Sequence, residues 1–216
     1  MARSLKPARD RKEAEMQGLV YPAERVHHWR TEIGERETVP LWYGATVCVR
    51  PVSSEDEERL RRMFSRLSLK TIYQRLHAPY PRVPEWVAAS FTDVDHYNRE
   101  SLVAVEGGEI VGHAMYVRSD VGHEAEFAVV VEDRCQSKGL GKLLLSELAE
   151  EAERRGIETL TGIVLGENRR MLGLIDSMFA GVRYTMKDGA YYVRVPLHSS
   201  ERTHSCSPNR EWGVVS

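Results

Sequence analysis

The eight residues CQSKGLGK, 135–142, constrain this chain more than any other stretch. They lie between an apolar run, FAVVV (127–131), and a leucine-rich amphipathic segment, KLLLSELAEEAERRG (142–156). A short apolar run beside turn residues reads as a buried strand. The leucine spacing behind it reads as a helix, stopped by Gly156. A glycine-rich turn between the two leaves the first helical N–H groups, and the positive end of the peptide dipoles, beside open backbone. Such a junction is a cradle for phosphate.

The spacing narrows which phosphate. A Walker loop needs GxxxxGK[ST], but here Lys142 is followed by Leu143. A dinucleotide fingerprint needs a third glycine where this chain has Leu144. What fits is Q-x-x-G-x-G, carried by Gln136, Gly139 and Gly141.

The surrounding pattern predicts an α/β sandwich with a mixed sheet. ATVCVRPV (45–52) reads as a strand. Ser53 or Ser54 caps a helix, with Leu60, Phe64 and Leu67 on one face. TIYQRL and EWVAASF read as short helices around the turn APYPRVP. ESLVAVEGGEIVGHAMYV (100–117) reads as a hairpin around Gly107-Gly108, and HEAEFAVVVE (123–132) as a central strand. In the following helix, Glu147–Glu151–Arg155 and Glu150–Arg154 have ion-pair spacing, expected on its outer side. IETLTGIVL, NRRMLGLIDSMF and VRYTMKDGAYYVRVPL then read as strand, helix and a hairpin around Asp188-Gly189. The domain is expected over residues 45–197. Residues 1–44 form an arm, mobile up to residue 20 and docked through Trp29 and Trp42, and residues 198–216 a disordered tail.

At 216 residues the chain suits one domain with a proper core. A net charge of −2 gives no footprint for nucleic acid. Cys48, Cys135 and Cys206 are too widely spaced for a metal site or a disulfide framework, so no metal is expected. The charged N-terminus has no apolar signal core, and no apolar run approaches a membrane span. The expected setting is the cytoplasm, away from membranes.

Strand, Q-x-x-G-x-G loop, helix, strand and then Asn168 in GENRRM together resemble the GNAT N-acetyltransferases. The resemblance spans about residues 45–197. It is nearest to the bacterial branch that acetylates protein lysines, notably on acyl-CoA synthetases. Three segments carry the narrower likeness: AEFAVVVEDRCQSKGLGKLLL, GIVLGENRRMLGL and LSLKTIYQRLHAPYPRV. It implies a mixed, mostly antiparallel GNAT sheet flanked by helices, and acetyl-CoA as cosubstrate. It further implies that the backbone N–H groups of Gln136, Ser137, Lys138, Gly139, Leu140, Gly141 and Lys142 hold the pyrophosphate. The pantetheine arm would pair with the strand at Val129, Val130 and Val131, and Asn168 would touch the same arm. Lys138 would help neutralise phosphate, or be a solvated loop lysine, and Asn168 is equally suited to capping a helix. Arg169 and Arg170 read as a solvated face.

Amine acetylation needs a neutral amine, and a free lysine has a pKa of about 10.4, so a base must take its proton. Glu126 is the expected base: it opens the apolar run, partial burial would tune it, and the resemblance aligns it with a family glutamate. Glu124, on the same strand face, is the alternative. His123, beside a glycine, reads as a turn residue, and His113 as a core or surface residue. Many small-molecule members carry a tyrosine acid seven residues after the asparagine; this chain has Ile175 there. Where the family has Leu-Gly-Phe, Met178-Phe179-Ala180 stands before Gly181, so the helix is expected to run on slightly. Cys135 stands at a helix start, where a thiol pKa tends to fall, but reads chiefly as a small loop residue. Tyr73 and Arg75 are candidates for shaping an acceptor groove. Protein-lysine acetylation is the leading expectation. A small-amine acetyltransferase and a non-catalytic acyl-CoA-binding module are the alternatives.

Overall fold

The computed structural model describes residues 39–40, 46–80, 83–120 and 122–197. The expected arm, apart from Val39–Pro40, and the expected tail lie outside them, as do Trp29 and Trp42. The elements in chain order are β1 (Val39–Pro40), β2 (Thr46–Pro51), α1 (Glu57–Ser65), α2 (Leu69–Leu76), α3 (Glu85–Thr92), β3 (Arg99–Glu106), β4 (Glu109–Arg118) and β5 (Glu124–Val131). Then come α4 (Leu140–Arg154), β6 (Thr159–Leu165), α5 (Arg169–Met178), β7 (Arg183–Lys187) and β8 (Ala190–Pro196).

The described strands form one sheet in the order β1-β2-β3-β4-β5-β6-β8-β7. Every neighbouring pair is antiparallel except β5 with β6. That exception positions the site. β5 pairs with β4 from Ala125 to Val131, but with β6 only from Glu124 to Glu126. Beyond Glu126 the two parallel strands part, leaving one edge of β5 without a strand neighbour. Gly162 stands where they separate: a Cβ there would lie 3.1 Å from the Phe127 ring and 3.3 Å from the Phe127 carbonyl oxygen.

The sheet has an apolar layer on each face. Ala125, Phe127 and Val131 of β5 pack with Leu144 and Leu148 of α4 and Ile175 of α5. On the other face Val130 and Met115 join Leu60, Phe64, Ile72 and Phe91 from α1, α2 and α3. The alternation along β5 drives this, since successive side chains point to opposite faces. Past the reach of α1–α3, the second face is open among the described residues. The register places Glu126, Thr161, Arg194 and Arg183 in one row across four strands there, with Ile163 opposite Tyr192 beside it.

Two expectations need correction. Glu151 does not lie on the outer side of α4: it is buried, and pairs with Arg154 at 2.5 Å and Arg155 at 2.7 Å. Its position three residues after Leu148 keeps it on the core face, and the arginines turn back to neutralise it. Nor does α5 run on past Met178. Phe179 is already extended (φ −128°, ψ 137°), and Gly181 takes a left-handed φ of +69° two residues later.

Candidate active site

The cradle is built from backbone. Gly139 caps α4 with φ +86°, a conformation that costs an L-residue a steric clash. The first helical bond runs from Leu143 N–H to the Gly139 carbonyl oxygen at 3.0 Å, so the N–H groups of Leu140, Gly141 and Lys142 have no acceptor inside the helix. Ser137, Gly139, Gly141 and Lys142 line a cavity of about 420 Å³ together with Val129, Val130 and Val131. Lys138 and Leu140 do not line it, and the Leu140 side chain lies in the core.

Gln136 lines the same cavity, but its N–H and side chain are already engaged. Its N–H already donates to the Asp133 carbonyl oxygen at 3.3 Å, closing a short turn. Its side chain ties three elements together. The amide nitrogen donates to Thr71 of α2 at 3.2 Å and to the Val131 carbonyl oxygen at 3.0 Å, and the amide oxygen accepts from Arg170 of α5 at 2.7 Å. Asp133 reinforces the tie, accepting from Ser68 N–H (2.9 Å), Ser68 Oγ (2.7 Å) and Thr71 Oγ1 (2.8 Å). Cys135 is also corrected: burial pushes its thiol up rather than down, and the side chain is closed off in the core.

A second lobe of about 260 Å³ continues from the first and is lined by Glu126, Phe127, His77, Gly162 and Ile163 among others. Gln74, Arg75, Val129, Asn168 and Met171 line both lobes and form the neck between them. Asn168 caps α5, its side-chain oxygen accepting from Met171 N–H at 3.2 Å. Glu126 is exposed, not partly buried, because it stands at the start of β5, before the stretch of that face that α1–α3 cover. Glu124 is engaged elsewhere: both guanidinium nitrogens of Arg194 donate to it, and that pairing holds its carboxyl below the usual range.

Of the two α2 candidates, Arg75 lines both lobes, while Tyr73 is exposed and lines neither. Gln74, His77, Met171 and Arg170 line the cavities without having been singled out as site residues; Arg170 is exposed, as expected, and also lines the first lobe. Their signal in the sequence was weak, because each becomes a wall residue only once α2 and α5 are packed across β5. Ile175, the position of the family's tyrosine, is fully buried and lines neither lobe. His113 is a core residue, hydrogen-bonded to Ser101 at 2.8 Å, and burial with the nearby Arg75 charge pushes its pKa far down. His123 sits in the bend before β5, 3.2 Å from the Gly156 carbonyl oxygen. Among the described residues no cluster of three His, Cys, Asp or Glu could hold a metal, and no helix is long and apolar enough to cross a membrane.

An open strand edge running from a helix-N-terminal anion cradle to a charged second lobe suits an extended ligand that ends in phosphate. The comparisons agree. The Acetyltransferase (GNAT) family model matches residues 61–178. The chain is 30% identical over 145 residues to acetyltransferase PA5475 of Pseudomonas aeruginosa, covering 65% of this chain and 78% of that protein. It is 30% identical over 155 residues to acetyltransferase Pat of Mycolicibacterium smegmatis, covering 69% of this chain but 42% of that protein. The GNAT domain of S. lividans PAT superposes with a TM-score of 0.69 at 32% identity, covering 82% of this chain and 99% of that domain. A phosphinothricin acetyltransferase from Sinorhizobium meliloti, solved with acetyl-CoA, shares the fold at a TM-score of 0.57 and 16% identity. This chain belongs to the GNAT acetyltransferase family. It is an acyltransferase, and acetyl-CoA is its cosubstrate.

Proposed function

We propose that the chain transfers the acetyl group of acetyl-CoA directly to a lysine side chain of a protein, with Glu126 as general base. The observation that carries this reading is the setting of Glu126. It lines the acceptor lobe on an uncovered sheet face, with Ile163 and Tyr192 exposed beside it. A broad, open approach suits a lysine projecting from a folded surface, whereas a small amine is better held by an enclosed pocket.

In this reading the cradle N–H groups of Leu140, Gly141 and Lys142 hold the pyrophosphate, aided by Ser137 and Gly139. The free edge of Val129–Val131 pairs with the pantetheine arm as an added strand would. The remaining amide hydrogens of Asn168 face the same arm at the neck. Glu126 accepts the proton of the incoming ammonium, with room for one bridging water, and the neutral amine then attacks. An acyl-CoA synthetase is the acceptor class that the family likeness implies, and a cytoplasmic setting follows from such an acceptor.

The test is incubation of the protein with labelled acetyl-CoA and a panel of acyl-CoA synthetases, other cell proteins, polyamines and amino acids. Label on a protein lysine is expected, and it should disappear with Glu126→Gln. Label confined to the small amines would overturn the acceptor. Acetyl-CoA binding with no acceptor turned over would make the chain a binding module.

A further inference from the structure

We infer that Arg75 supplies the fixed positive charge that stabilises the negative charge developing at the thioester, first on the carbonyl oxygen and then on the departing sulfur. The inference rests on acetyl-CoA as donor, and it is independent of which amine receives the acetyl group.

The neck locates the reaction. A donor arm lying in the first lobe and an amine entering through the second meet where the lobes join. Five residues line that junction: Gln74, Arg75, Val129, Asn168 and Met171. Arg75 alone among them is charged. Its Nε is buried with no hydrogen-bond partner, and among the described residues no carboxylate pairs with its guanidinium. What holds it is an aromatic platform. The guanidinium carbon sits 5.0 Å from the Phe91 ring centroid, and Phe91 packs in turn on His113 at 4.6 Å and Phe64 at 5.4 Å. With its Nε buried and unpaired and the side chain half-buried on the wall of both lobes, Arg75 keeps a positive charge where an anion can arrive. Burial pushes Arg75 down to about 10, against the opposing pull of Glu126, and it stays protonated at neutral pH.

The chemistry supplies such an anion. The amine nitrogen attacks the carbonyl carbon, a C–N bond forms, and the carbonyl π pair moves onto oxygen. The ammonium proton taken by Glu126 before attack passes to solvent at this exposed carboxylate, which then takes the second proton that nitrogen loses after attack. The oxyanion then collapses, the C–S bond breaks, and sulfur leaves with its electron pair. Other family members offer a tyrosine proton at that moment, but Ile175 is sealed in the core and offers none. A fixed cation at the neck performs the same stabilisation without transferring a proton.

The experiment reads the bound thiol directly. Coenzyme A bound to the protein is titrated by its thiolate ultraviolet absorbance, with the desulfo analogue as blank, in the wild type, Arg75→Met and Arg75→Gln. The wild type is expected to hold the thiol about one to three pH units below its free value, as a cation at close range does. Both variants should return it to the free value while still binding coenzyme A, and turnover should fall by about 10²–10³. Arg75→Gln carries the comparison if Arg75→Met does not fold. The same thiol titration in wild type and variant would overturn the inference. So would a turnover loss accounted for entirely by weaker coenzyme binding. A chain that labels no protein lysine would sink the proposed acceptor, yet leave this titration unchanged.

Discussion

The two lobes on either side of the neck are made from different materials. The lobe proposed for the donor is largely main chain: three helical N–H groups, a left-handed Gly139 and the unpaired edge of β5. The lobe proposed for the acceptor is side chain: Glu126, His77 and Ile163, with Arg75 shared between the two. A backbone-built pocket recognises what every family member must bind and tolerates sequence change around it. A side-chain pocket changes its preference with each substitution. The cofactor is therefore the conservative half of this site, and the acceptor the adjustable half.

The contrast can be broken by substitutions on each side. The largest effect is expected from Glu126→Gln, which should lower kcat by about 10²–10⁴ while leaving acetyl-CoA binding intact. Steady-state kinetics with binding measured separately checks both halves. Next is Gly139→Ala. Nothing lies within 4 Å of a Cβ placed there, so crowding is not the cost. The cost is the left-handed φ, about 1–2 kcal/mol, which converts to roughly tenfold weaker acetyl-CoA binding. Gly141→Ala, whose Cβ would meet Leu174 at an ordinary 3.5 Å, should cost less by the same titration.

Gln136→Ala tests whether the lobes are mechanically joined, because its side chain ties α2, β5 and α5 together. Loss of those bonds should cost about 1–2 kcal/mol of stability and raise the acceptor KM more than the acetyl-CoA KM. Thermal unfolding and two-substrate kinetics report the two effects. The smallest change is expected from Glu124→Gln, two residues from the proposed base on the same strand face. Its pairing with Arg194 depresses the Glu124 carboxyl, so the stability it adds is present above the ordinary carboxylate pKa and lost as pH falls through the lower folded value. The pair is largely exposed, so that contribution is at most about 1 kcal/mol, and kcat should be unchanged. Melting curves between acid and neutral pH, with and without the substitution, check the sign. Loss of activity in Glu124→Gln comparable to that in Glu126→Gln would erase the distinction between the two glutamates.

Much of this was legible in the chain. The strand, loop and helix around Gln136–Lys142 follow from local pattern, and so do the hairpin turns at Gly107-Gly108 and Asp188-Gly189, because glycine spacing and apolar periodicity act over a few residues. The position of Glu151 was not legible, since ion-pair spacing on a helix does not say which face meets the core. Gln136 lines the cavity with its motif neighbours, but its structural ties were not legible for a related reason. Its own N–H is used in a turn that begins with Asp133, and its side chain finds partners 65 and 34 residues away. Glu126 was legible as a candidate from its place before FAVVV, but its exposure was not, because that depends on helices which stop short of the sheet's far half.

By itself the sequence determined the cradle and hence the cofactor, because a helix start, two glycines and an apolar strand are local properties that no distant contact has to supply. The acceptor side was decided only by tertiary structure. The parting of β5 from β6 after Glu126, the open sheet face beyond it and the unpaired Arg75 at the neck all arise from elements far apart in the chain. Their chemistry depends on burial and on which partners are missing. Those are properties of packing, and the order of the residues does not contain them.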